Sequence, residues 1–537
     1  MTDKFDYVIV GAGSAGCVLA NRLSEDPSVK VLLLEAGGSD AHPLISIPLG
    51  VGRIYEKQLF DWGYETEPEP GLGGRTIKPT RGKVLGGSSS VNMMAFTRGH
   101  RGDYDRWARK GATGWSYDDV LPYFRRVESW EGGADAYRGA DGPVKVEFGG
   151  FRDDLDGAWL DAARECGHPT PADYNGAEQE GVGRGQYSIH KGRRASAAVA
   201  YLRPALSRPN LQVISGALAH RILFEGNRAV GIEYSQKGVT AEARAGREVI
   251  VSGGSYNTPQ LLMLSGIGPA RHLEAQGIRP LADLPVGQNL QEHIGARVYW
   301  ARKQQGSFHR SMRFDRMAVA MLQAWLFGTG AATSNPSALH AFIRTRPELD
   351  VPDIEFMFRY APDVVHLWFP GLRPAYADGY GLVPALMHPR SRGEVQLRSN
   401  RPDDRVRIRL NVFQDPQDLA DLRVGVERAR ELGNARALDA FRGAEVSPGP
   451  GIKSAGDLEA WIRSAAVPVH HACGTCAMGT HSDAVLDPEL RVRGIEALRV
   501  VDASAMPDLV GAHINAGVLM MAEKASDLIV GRSHAGT

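Results

Sequence analysis

Continuous apolar runs and helix-spaced apolar positions alternate from the start of this chain. Asp6-Tyr-Val-Ile-Val10 is apolar after its first residue and stops at Gly11, which reads as a buried parallel strand. Cys17-Val-Leu-Ala-Asn-Arg-Leu23 then carries apolar residues at helical spacing, and a second strand, Val31-Leu-Leu-Leu34, ends on Glu35. The glycines between the first strand and the helix therefore sit on a strand-to-helix turn. Gly11 allows the tight turn, Gly13 lets a pyrophosphate approach the backbone beside Ser14 and Ala15, and Gly16 lets the helix pack close to the strand. The helix N-terminus faces the phosphates. Glu35, followed by Ala36, stands where a carboxylate would bond an adenosine ribose hydroxyl. A strand, a helix and an acid at the right interval read as a dinucleotide site rather than a chance glycine turn.

Residues 36–80 are rich in Pro and Gly, with little periodicity and an aromatic cluster, Phe60-Asp-Trp62-Gly-Tyr64. A long irregular stretch within a compact domain is a functional loop or lid, and a cofactor against Trp62 would order it. Gly86 and Gly87 come next, then Ser88, Ser89 and Ser90, then Val91-Asn92-Met93-Met94-Ala95-Phe96. Backbone N–H groups and hydroxyls there suit a phosphate or a polar ring edge. The apolar continuation is unlike a linker.

Residues 101–128 read as helical and run into a charged loop, Glu128 to Asp141. Leu211–Ser215, His220–Phe224, Ala229–Tyr234 and Val249–Ser252 read as strands belonging with the nucleotide sheet. A helix is expected to open at Thr258-Pro259, with Thr258 as N-cap and Pro259 in the first turn. From about Arg297 to Ala465 the pattern becomes aromatic and β-rich, in Ile354–Tyr360, Tyr380–Met387, Gly393–Ser399 and Val406–Leu410, which suggests a separate mixed sheet facing the substrate. Helices follow over Asp415 to Leu432 and Ala455 to Ala465. The chain closes with a strand, Leu498-Arg-Val-Val, running into Asp502 and Ala503, and a helix from Asn515 to Val530. The expected architecture is α/β. A Rossmann-like dinucleotide domain is discontinuous in sequence (1–155, 212–296 and 485–537), and a substrate domain (156–211 and 297–484) has a mixed or antiparallel sheet covered by helices.

The totals narrow the partners. Lys+Arg and Asp+Glu both total 62 in 537 residues, so no net field draws the chain to nucleic acid. The uncharged segment Met317–Phe327 meets Gly328 and Gly330 before reaching the ~20 residues of a membrane span. It reads as a core or lid helix. Four cysteines are too few for a disulfide scaffold. With a polar opening that has no signal-peptide character, they suit a reducing, cytoplasmic setting.

The chemistry gathers late in the chain, in Val469-His470-His471-Ala-Cys473-Gly-Thr-Cys476 and in Val510-Gly-Ala-His513-Ile-Asn515. Three readings compete for the first stretch. A histidine can accept an alcohol proton at neutral pH, it can be a core residue, or with the cysteines it can bind metal. A structural zinc site needs a second ligand pair that the other cysteines do not supply, and the pattern of a thioredoxin-like dithiol is missing around Cys473 and Cys476.

These stretches, in this order along the whole chain, resemble the glucose-methanol-choline (GMC) family of flavoprotein oxidoreductases. The resemblance implies FAD as cofactor, with Glu35 on its adenosine. Gly86, Asn92, Ala219, Asp502 and Ala503 would lie near FAD, and Asn515 would lie near the pyrimidine edge. It implies His471 as catalytic base and His513 as positioning partner, with His470 the lesser candidate and no metal. The expected reaction is oxidation of an alcohol, with electrons passing to oxygen, a quinone or another acceptor. Members with covalent FAD can carry His where this chain has Val91, so non-covalent FAD is expected. The same scaffold supports hydroxynitrile lyases and a fatty-acid photodecarboxylase, and these are the alternatives.

Overall fold

The computed structural model describes residues 4–532; residues 1–3 and 533–537, which include the outermost ends of the expected dinucleotide segments and half of the polar opening, lie outside the described residues. The strand Lys4–Val10 lies between Val31–Glu35 and Val239–Val251, parallel to both, and Leu211–Ser215 extends the sheet beyond Val31–Glu35. Parallel strands buried on both faces read as unbroken apolar runs, and Val8, Ile9, Val31 and Leu33 are fully buried. The strand Val239–Val251 serves two neighbours. Its first half pairs antiparallel with Arg228–Gln236, which pairs in turn with Ala217–Glu225, while Val249–Val251 pairs parallel with Leu498–Val500. Distant parts of the chain thus complete one sheet. The helix Asn515–Val530 packs on the first helix, Ser14–Leu23. Its buried Glu523 accepts from Arg22, from Arg126 and from the Tyr201 hydroxyl at 2.8 Å.

The second sheet is antiparallel throughout, in the order Arg442–Ser447, Val298–Arg302, Gly379–Leu386, Ile354–Arg359, Leu339–Ile343, Gly181–Arg184. The helix Pro416–Gly433, capped by Asp415, covers one face through Leu419, Leu422 and Val426. Gly425 permits the close approach, because a Cβ there would stand 2.9 Å from Ile354. The expected strands at 393–399 and 406–410 do not join this sheet. Glu394–Gln396 and Arg407–Arg409 form a two-stranded ladder of their own.

Two local expectations fail for identifiable reasons. The helix expected at Thr258 begins four residues earlier and spans Gly254–Leu264, so Pro259 lies inside it. Pro259 lacks the N–H that would reach the Ser255 carbonyl, and the Thr475 hydroxyl donates to that carbonyl instead, at 2.8 Å. The expected charged loop after Glu128 is in part an interior ion cluster. Glu128 accepts from Arg98 at 2.5 Å and from Arg138 at 2.7 Å, with all three side chains buried.

The apolar segment before Gly328 is the helix Phe314–Phe327. Met317, Ala320 and Ala324 face inward, while Leu322, Leu326 and Phe327 are exposed. Among the described residues no helix is long and apolar enough to cross a membrane.

Candidate active site

A cavity of about 1350 Å³ is lined from both sheets, by Val10, Leu34 and Val251 of the first and Val298, Met357 and Leu382 of the second. Its first wall is the glycine turn. Gly11 has φ +98°, and a Cβ at Gly16 would stand 1.9 Å from the Gly11 carbonyl oxygen, so both must lack side chains. Gly87 packs its Cα against Gly13 in the same way, since a Cβ there would stand 2.7 Å from the Gly13 Cα. The Glu35 carboxylate accepts from Ala12 N at 2.8 Å and Gly37 N at 2.7 Å. It therefore pins the turn as well as lining the cavity, and burial pushes it up to about 7.

The wall continues through segments far apart in sequence. The Ser14 hydroxyl donates to the Asn515 side-chain oxygen at 2.6 Å, joining the N-termini of the first and last helices. Asp502 accepts from Gly254 N at 2.8 Å, from the Thr258 hydroxyl at 2.6 Å and from Ser504 N at 2.7 Å. Asn92 accepts from Met94 N at 3.0 Å and from Arg194 at 2.8 Å, and this tie holds Met94 at φ +63°. Ala15, Ala36, Trp62, Ser88, Met93, Ala95, Ala219 and Ala503 also line the cavity. Gly16, Gly86 and Ser90 do not. They stand behind its wall: Gly16 where helix meets strand, Gly86 donating to Ala12 O at 2.7 Å, and Ser90 donating to Leu85 O at 2.7 Å.

At the far end His471 and His513 face each other with ring centroids 4.8 Å apart at 81°. His470 adopts φ +68°, which turns its ring aside to pack on Tyr55 at 5.6 Å while His471 points to His513. The Glu292 carboxylate accepts from His471 N and pairs with Arg81 at 3.3 Å, and Arg81 also donates to His470 O at 3.0 Å. Both ends of the His470-His471 turn are held.

A hydrogen-bond chain then sets the tautomers. His293 Nε2 lies 3.0 Å from the Met387 carbonyl, which can only accept, so Nε2 carries the hydrogen. Burial pushes His293 down to about 3, so the ring is neutral and its Nδ1 is a lone pair. His471 Nδ1, 2.9 Å away, must donate to it. Burial, then the neighbouring His513 and His293, hold His471 well below the usual histidine range. Its Nε2 is left as an unprotonated acceptor on the cavity side.

His513 has a different partner. Its Nε2 and His340 Nδ1 both meet the same oxygen of Glu355, at 2.9 and 2.8 Å. Burial works against the charge of Glu355, but the two histidines, His513 foremost, hold it well below the usual carboxylate range. It is an ionised acceptor for both rings. The donor atoms of His340, Glu355 and His513 lie within 4.8 Å of one another, as in a metal site. Two hydrogen bonds to one oxygen account for that approach.

Cys473 and Cys476 are free and buried, and burial pushes both thiols up, which makes them poor ligands and nucleophiles. His293, His340, Glu292 and Glu355 were missed in the sequence. One signal was available: a glutamate inside the apolar strand Ile354–Arg359 is out of place unless it is paired.

GMC oxidoreductase family profiles match residues 5–295 and 389–522. The chain belongs to the GMC oxidoreductases. It is 42% identical over 531 residues to an oxygen-dependent choline dehydrogenase of Brucella ovis, covering 98% of this chain and 96% of that one. It is 43% identical over 541 residues to the mitochondrial choline dehydrogenase of Homo sapiens, covering 99% and 90%. Among solved structures, pyridoxine 4-oxidase from Mesorbium loti superposes with a TM-score of 0.87 at 32% identity over 99% and 100% of the two chains. An Aspergillus oryzae formate oxidase variant, made to follow FAD modification, superposes at 0.89 with 27% identity over 99% and 98%. As a GMC oxidoreductase the chain is an FAD-dependent enzyme acting on CH–OH donors. The glycine cradle fits that cofactor: the space where a Gly13 Cβ would stand is open to 4.0 Å, at the N-terminus of the first helix.

Proposed function

We propose that this GMC enzyme oxidises an alcohol to an aldehyde or ketone, with His471 as base and His513 as the partner that holds the alcohol oxygen. The observation that carries this reading is the chain from Met387 O through His293 to His471, which presents an unprotonated Nε2 to the cavity. A base must have its lone pair aimed at the proton it takes. With Nε2–H committed to Glu355, His513 meets the substrate through Nδ1. The Glu355 carboxylate holds the ring so that Nδ1 faces the alcohol oxygen. The hydroxyl proton moves to His471 Nε2 as the carbon gives up hydride. Bound FAD supplies the hydride acceptor.

The segments around Gly11, Glu35, Gly87, Asn92, Asp502 and Asn515 would hold FAD. Val91 packs with Ile45, Ile54 and Val84 and has no nucleophilic atom, which supports non-covalent attachment. Denaturation with acid should release all the yellow colour into the supernatant. For turnover, the purified yellow protein is mixed anaerobically with aliphatic, aromatic and polyol alcohols, and air is then admitted. Bleaching of the flavin band supports the reading, and the speed of recolouring separates oxygen from a quinone or another acceptor. No bleaching with any alcohol would sink it in favour of a lyase.

A further inference from the structure

The strand Ile354–Arg359 places more than Glu355 at the site. Its period of two sends Ile354, Phe356 and Phe358 into the core and leaves Glu355, Met357 and Arg359 on the other face. Glu355 holds the two histidines, and Met357 and Arg359 line the cavity. A guanidinium thus stands on the same wall as the reacting groups, four residues along, a Cα separation of roughly 13 Å.

This arginine lines the cavity and has no partner. Across the sheet it faces Gly381, which has no side chain to pair with it. Among the described residues no hydrogen bond or ion pair engages it. The nearby Asp363 is committed to Arg297 at 2.8 Å. Burial, and then the charge of Arg297, lower Arg359, with Asp363 opposing. The charge of Arg359 is felt at His340, Tyr187 and Tyr55, which places it among cavity residues rather than in bulk water. Of the other arginines on the cavity wall, Arg81 pairs with Glu292 and Arg53 with Glu56, while Arg373 is exposed to solvent. A half-buried guanidinium left unpaired is costly unless a ligand completes it.

We infer that the substrate is an alcohol that also carries a carboxylate, clasped by Arg359 while its hydroxyl lies between His471 and His513. This rests on the alcohol-oxidising reading above. A single arginine matches a monoanion, and its fork fits a carboxylate bidentately. The carboxylate takes no part in the redox step. The C–H hydride and its two electrons pass to FAD, the hydroxyl proton passes to His471, and the C–OH becomes C=O. A trimethylammonium alcohol would meet like charge at Arg359, so choline is expected to be a poor substrate here.

The test is anaerobic flavin reduction by the holoenzyme with ω-hydroxycarboxylates of increasing length, unbranched alcohols of matched length, and choline. The hydroxy acids should show kcat/KM higher by about 10- to 100-fold, the size of a charge-assisted pair. In Arg359→Leu that ratio should collapse through KM while the flavin spectrum stays intact, and Arg359→Lys should keep part of it. Neutral alcohols or choline bleaching the flavin as well as the hydroxy acids, or an unchanged ratio in Arg359→Leu, would overturn the inference while leaving alcohol oxidation standing. Failure of every alcohol to bleach would overturn both.

Discussion

His293 and His471 meet through their Nδ1 atoms at 2.9 Å, and the Met387 carbonyl on the far side of His293 decides which of the two carries the hydrogen. His293 need not touch substrate to matter. His293→Leu should lower the rate of flavin reduction by about 10²-fold, because His471 is then free to take the tautomer with Nε2 protonated. His293→Gln should restore most of the rate, since its amide can donate to Met387 O and accept from His471. Stopped-flow reduction checks both, and an unaltered rate in the leucine variant would remove His293 from the mechanism.

The same residue makes stability depend on pH. The folded state holds His293 at about 3, whereas the unfolded chain takes up that proton near pH ~6.5. Below about 6.5 the unfolded state therefore binds more protons, and folding loses roughly 2 kcal/mol from this residue by about pH 5. Above about 6.5 the contribution is flat. The urea midpoint of the wild type should fall further between about pH 7 and pH 5 than that of His293→Gln. Equal falls would contradict the assignment.

Glu355 serves two rings with one oxygen. Glu355→Leu leaves both without an acceptor in a buried setting, and the loss should be about 3–5 kcal/mol of stability together with flavin reduction. Glu355→Gln keeps the shape but not the charge. It should fold, retain FAD and reduce slowly, so an absorbance spectrum and a reduction trace on one sample separate the two effects.

Glu128 is the hub of a buried ion cluster that does not line the cavity, between Arg98 and Arg138. Glu128→Ala strands two buried guanidinium groups and should cost about 3–5 kcal/mol. The denaturant midpoint should drop while kcat of the folded fraction is unchanged.

Gly16→Ala drives a Cβ to within 1.9 Å of the Gly11 carbonyl. The turn must open, at a cost of about 1–3 kcal/mol, and FAD should bind about 10- to 100-fold more weakly. The ratio of flavin to protein absorbance after dialysis reads this out, and a fully yellow variant would argue that the cradle tolerates a shift.

Local pattern made much of this legible. The run from Asp6 to Leu23 contains its own strand, turn and helix, and the apolar strands 354–360 and 380–387 announce themselves by composition. Gly87 and Asn92 were legible as a turn, although the contact of Gly87 with Gly13 was not. What pattern cannot carry is the meeting of distant residues. His293 sits in Gln291-Glu-His-Ile294 with no spacing to mark it, and only the sheet brings it to His471 from 178 positions away. The buried Glu128 and Arg138 misled for the same reason: each charge alone reads as solvated, and only their pairing permits burial. Pro259 misled in another way, because a hydroxyl from Thr475 substitutes for the missing N–H.

The short strand Leu498–Val500, seated beside Val249–Val251, has a consequence for how the molecule comes into being on the ribosome. Everything that closes the cradle, Asp502, His513 and Asn515 included, is synthesised after it or just behind it. Until then the nascent sheet has an open apolar edge and waits for its most distant contact, the slowest kind to form. Acquisition of FAD thereby waits for synthesis of the segment 498–515. Chains interrupted before residue 498 should accumulate as colourless, aggregation-prone fragments rather than as half-active enzyme.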